Sequence, residues 1–96
     1  MVVGILEVTL FMEGAASLKD KRRVIKSVIG RVRARFNAAA SEVGEQDSVC
    51  RATLGFAVCG SDARILTSVL TRMENFVETN ADAEVTDSHI ECLNLG

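Results

Sequence analysis

An α+β fold of order βαββαβ is predicted by three observations. Two stretches carry apolar residues at three- and four-residue spacing, the mark of a helix with one buried face. Four shorter stretches are rich in residues that favour strands. Neither proline nor a linker interrupts the 96 residues, so they form one domain, 1–96.

Residues 2–12 are almost continuously apolar and rich in Val, Ile and Leu. Apolar residues on both faces predict a central strand. Gly14 ends it, and Ser17 begins a helix that runs to Phe36. Ser17 and Asp20 are spaced as in a capping box. Leu18, Val24, Ile25, Val28, Ile29, Val32 and Phe36 form the apolar face. Asn37 to Val43 is expected to be a short strand, and Gly44 to Ser48 (GEQDS) a polar turn. Residues 50–60 alternate. Ala52, Leu54, Phe56 and Val58 face one way, and the small Thr53, Gly55, Ala57 and Cys59 face the other. Ser61 or Asp62 then caps a second helix. Its expected stripe is Ile65, Leu66, Val69, Leu70, Met73, Phe76 and Val77. Asn80 to Asp82 turn the chain into a last strand, 83–93. There Val85, His89 and Leu93 share one face, and Ile90 and Cys92 the other. Right-handed crossovers then give a ferredoxin-like α+β domain, a four-stranded antiparallel sheet with both helices on one face.

Charge is distributed unevenly. The segment SLKDKRRVIKSVIGRVRARF holds eight of eleven Lys and Arg residues and a single acid, Asp20, in a chain of net charge −2. On a helical wheel Lys19, Arg22, Arg23, Lys26 and Arg33 share one flank, with Lys21, Arg31 and Arg35 opposite. Such a ridge meets phosphates, so structured RNA, ribosomal RNA included, is the expected partner. An acidic protein partner is the alternative. RNA-recognition domains of this topology stack bases on aromatic residues of the two central strands. Here the outward positions are Val3, Ile5, Glu7, Thr9, Phe11, Arg51, Thr53, Gly55, Ala57 and Cys59, with Phe11 as the one aromatic. Base stacking on the sheet is therefore not expected. The same face is more apolar than a solvated one, which predicts a homodimer through it.

The motifs SLKDKRRVIKSVIGRVRARFN, SEVGEQD, RATLGFAV, GSDAR and EVTD together resemble the YlxP-like family of small bacterial proteins, a domain of unknown function. The resemblance covers nearly the whole chain. It implies a ferredoxin-like fold, a cytosolic setting and, from genes commonly found beside translation and ribosome maturation factors, an RNA connection. It supplies no catalytic residue. The family commonly has Trp-Gln between the QD and RA motifs, where this chain has Val49 and Cys50.

No further chemistry is expected. Cys50, Cys59 and Cys92 are odd in number and lack metal-ligand spacing, so neither a disulfide framework nor a zinc site is predicted. His89, with Asp87 and Glu91 on the same face, is expected to be an ordinary solvent-facing residue of an edge strand. Glu42, Glu45 and Asp47 flank a turn without a calcium-loop pattern. EGAAS does not match the arginine-bearing anion loop of acylphosphatase-like enzymes. The expectation is a non-enzymatic protein with no cofactor and no metal. No apolar run approaches the roughly 18 residues that span a bilayer. The opening VVGILEVTLFM has no basic leader and carries Glu7, so a cytoplasmic protein with no membrane partner is expected.

Overall fold

β1 (Val2–Phe11) and β3 (Arg51–Gly60) lie side by side at the centre of a four-stranded sheet, as their apolar content requires. The computed structural model describes all 96 residues. β2 (Ala39–Gly44) and β4 (Glu84–Asn94) are the edges, in the order β2-β3-β1-β4, with every pairing antiparallel. α1 (Leu18–Arg35) and α2 (Ala63–Asn80) cover one face. The ferredoxin-like architecture is therefore as predicted, with no element shifted by more than about two residues.

The core lies between the two layers. Leu6, Val8 and Leu10 of β1 and Ala52, Leu54 and Phe56 of β3 meet Ile25, Val28 and Val32 of α1 and Leu70, Met73 and Val77 of α2. Gly4 permits the closest approach, because a Cβ there would stand 2.7 Å from Leu70 Cδ1. Ser17 Oγ accepts the Asp20 N–H at 3.2 Å, and Asp20 Oδ2 accepts from Ala16 N at 3.1 Å. The capping box thus closes on the residue before the cap. Of the two candidates for α2, Asp62 is the cap, accepting from Arg64 N at 2.9 Å.

Three expectations about faces are corrected. Ile65 is 63 % exposed rather than part of the stripe of α2. It lies about 100° from Leu66. Phe76, on the same side of the helix, is covered by Phe36 at a ring separation of 5.9 Å, and Ile65 has no such cover. Leu18, in the first turn of α1, is 42 % exposed and adds little to the core. Val85 packs against the core, not beside His89. Thr9 pairs with Asp87 but Leu10 pairs with Val85, so Thr86 is an extra residue that reverses the alternation. A matching interruption on the other edge leaves Val43 unpaired between Glu42 and Gly44.

Candidate nucleic-acid interface

Lys19, Arg22, Arg23, Lys26 and Arg33 are all exposed, on one flank of α1 beside the buried stripe of Ile25, Val28 and Val32. From Lys19 to Arg33 the ridge is about 21 Å long at 1.5 Å per residue. None of the five has a carboxylate partner. The ion pairs in the protein are Lys21–Glu42 and His89–Glu91. The flank called opposite is occupied differently. Arg31 donates to the Asn80 carbonyl at the end of α2, and Arg35 stands 5.0 Å from the centre of the Phe76 ring. These two arginines tie the helices together, so the five-residue flank points away from α2.

The ridge costs the free helix stability. Lys19, Arg22 and Arg23 lie in the first two turns, at the positive end of the helix dipole. Lys19 stands three and four residues from Arg22 and Arg23, and Lys26 three and four from the same pair. Each such like-charge pair is unfavourable by about 0.2–0.5 kcal/mol. Gly30 is exposed in the same flank, and a Cβ on it would meet nothing within 4 Å. Packing therefore does not require glycine there. Gly30→Ala is expected to raise the unfolding free energy by about 1 kcal/mol, read as a higher denaturant midpoint at unchanged slope.

Lys21 is the main correction to the charge map. It is 2 % exposed, not on a solvated flank. Its Nζ donates to the Glu45 carbonyl at 2.7 Å and the Ser48 carbonyl at 2.6 Å, and it stands 2.9 Å from Glu42 Oε2. The Glu42 contact is an ion pair without hydrogen-bond alignment, since Oε2 has no directional donor. Lys21 thus fastens α1 to the β2–β3 turn, where Glu45 takes a positive φ of 60°. The wheel angle could have revealed this. Lys21 falls at about 300° from Leu18, between Val28 at about 280° and Val32 at about 320°. A lysine in the middle of an apolar stripe extends its stem over that stripe toward a polar group.

The Glu42, Glu45 and Asp47 carboxylates do not converge, and no three His, Cys, Asp or Glu side chains form a metal-ligand group. His89 Nε2 lies 3.2 Å from Glu91 Oε1, both side chains exposed, as expected of edge-strand surface groups. Cys50, Cys59 and Cys92 are free thiols. Val49 is 40 % exposed and Cys50 half-buried, so this chain presents no aromatic where the family commonly has one. No helix is long and apolar enough to cross a membrane.

The model of the family described as "Protein of unknown function (DUF503)" matches residues 3–90. The chain belongs to the DUF503 family. A DUF503 relative, "Uncharacterized protein YlxP" of Bacillus subtilis (strain 168), is 32 % identical over 90 residues, which cover 94 % of this chain and 98 % of that protein. The YlxP-like resemblance read from the motifs is therefore correct. Among solved structures, the de novo designed protein Ferredog-Diesel is similar at a TM-score of 0.48 and 10 % identity, covering 93 % of this DUF503 chain and 83 % of the designed one.

Proposed function

We propose that this DUF503 protein is a non-enzymatic RNA-binding protein that takes the phosphate backbone of structured RNA, ribosomal RNA first among candidates, on the exposed flank of α1. The observation that carries the reading is the set of five unpaired cations on one side of one helix. Ten of the eleven Lys and Arg residues lie on the two helices, and the sheet and turns hold most of the acids. The molecule is therefore polar by layers, and a polyanion approaching the helices meets little repulsion. Phosphate contacts fix position without reading sequence. Base stacking has no platform, since Phe11 on the open sheet face already has Arg51 at 5.6 Å from its ring. Binding should accordingly depend on RNA shape and on salt.

Filter binding to ribosomal RNA tests this directly. Affinity is expected to fall steeply between low and physiological salt. Absence of binding at low salt overturns the reading. Capture of a partner from the native cell that survives nuclease would point instead to an acidic protein on the same ridge.

A further inference from the structure

The face of the sheet opposite the helices is bare. The C-terminal residues do not fold across it, because Leu95 N–H donates to the Met1 carbonyl at 2.8 Å and continues along the sheet. Large side chains on it are Val3, Ile5 and Phe11 from β1, with Leu93 on β4 and Val43 at the β2 edge. Small ones, Gly55 and Ala57 with Ala39 and Ser41, come from β3 and β2. The difference in size creates a shallow groove of about 330 Å³ over Gly55 and Ala57, between Ile5 and Val43.

We propose that a second copy of this chain closes this face, sheet against sheet, about a two-fold axis parallel to the strands. Such an axis lays β1 of each copy over β3 of the other. Ile5 then enters the groove above the other copy's Ala57, and the reverse holds by symmetry. Large residues meet small ones twice over. An axis across the strands would instead set β4 on β4 and bring Glu84, Asp87 and Glu91 of both copies together, like charge on like. The parallel axis brings Arg51 of one copy over the row that holds Phe11 and Glu84 in the other.

The area is sufficient. The 37 residues of the four strands, each covering about 4.8 Å by 3.3 Å, span roughly 600 Å² per copy. Two copies bury about 1,200 Å², the lower end of the range for stable pairs. The edges offer poorer surfaces, since both are interrupted, at Val43 and at Thr86. Glu7 is the one carboxylate near the middle of the face and weakens the pair, because its charge loses water on closure.

Sedimentation of the full chain across a micromolar concentration series tests the proposal. The expected result is a reversible species of twice the 10.3 kDa chain mass. Ile5→Lys should raise its Kd by more than a hundredfold, and Glu7→Leu should lower it about tenfold. Both positions face outward, and circular dichroism checks that each variant folds. Cys59 is exposed on the same face and reports the axis. With the parallel axis the two Cys59 Cα atoms lie about 11 Å apart, and with the crossed axis more than about 20 Å. A short bis-maleimide should therefore link the dimer, and Cys59→Ser should abolish the link. A monomer at all concentrations, or a dimer indifferent to Ile5→Lys, overturns the proposal. A dimer that Ile5→Lys disperses but that Cys59 does not link overturns the parallel axis.

Discussion

Lys21→Met lowers the unfolding free energy by about 3 kcal/mol, the largest loss expected from any charged position in the chain. Removing one partner of a buried pair costs about 3–5 kcal/mol, because the other charge stays behind without compensation. The Glu42 side chain keeps 25 % of its exposure, which places the loss at the lower end. Methionine fills the lysine stem's volume, so the effect reports the ammonium and not a cavity. The carbonyls of Glu45 and Ser48 also lose their donor. A charged hydrogen bond contributes about 1.5–3 kcal/mol. Urea unfolding measures the sum, and amide exchange locates it. Protection should fall first in the turn after β2, with the strands β1 and β3 still closed. Adding Glu42→Leu should recover part of the loss, since an apolar pair replaces an ionic one at little net cost. A change below about 1 kcal/mol for Lys21→Met would show that the hairpin is held without the ammonium.

Removing ridge charges should move binding and stability in opposite directions. Five phosphate contacts predict a slope of log affinity against log salt near −3.5 to −4.5. Between about 50 and 200 mM salt that is a loss of two to three orders of magnitude. The double variant Arg22→Gln, Lys26→Gln should flatten the slope by about 1.4 to 1.8 and weaken binding at low salt most. The same variant should unfold at equal or higher denaturant, because it deletes an unfavourable i,i+4 pair and a charge near the positive end of α1. Arg31→Gln and Arg35→Gln serve as the contrast, since those side chains hold α2 and their loss should destabilise with little effect on the slope. Parallel loss of stability and affinity in the ridge variant would mean that the cations serve the fold.

The layer order was legible because each stretch has one period and one direction of burial. Leu6, Val8 and Leu10 alternate over the length of β1, and Ile25, Val28 and Val32 repeat along α1. The five exposed cations followed from the same wheel. Two things escaped. Register slips at Val43 and Thr86 leave no mark in the sequence, because any residue can occupy a bulge of this kind, and one slip sent Val85 to the core. Lys21 escaped for a different reason. Its spacing was that of a core residue, but residue type suggested solvent, and the carbonyls that receive it come from a turn 24 to 27 residues away. The shape of the open face was also hidden, since its groove depends on which small residue of β3 stands beside Ile5.

The two interrupted edges have a consequence for the chain at high concentration. A sheet whose outer strands offer unbroken rows of N–H and C=O groups can recruit one molecule after another without limit. Bulges at Val43 and Thr86 spoil that template on both sides. What is left for recruitment is a flat face that each molecule has once, so assembly through it stops when two faces have met. If the open faces pair as proposed, this 48 % apolar chain stops at two copies and offers neither edge as a template for a fibril.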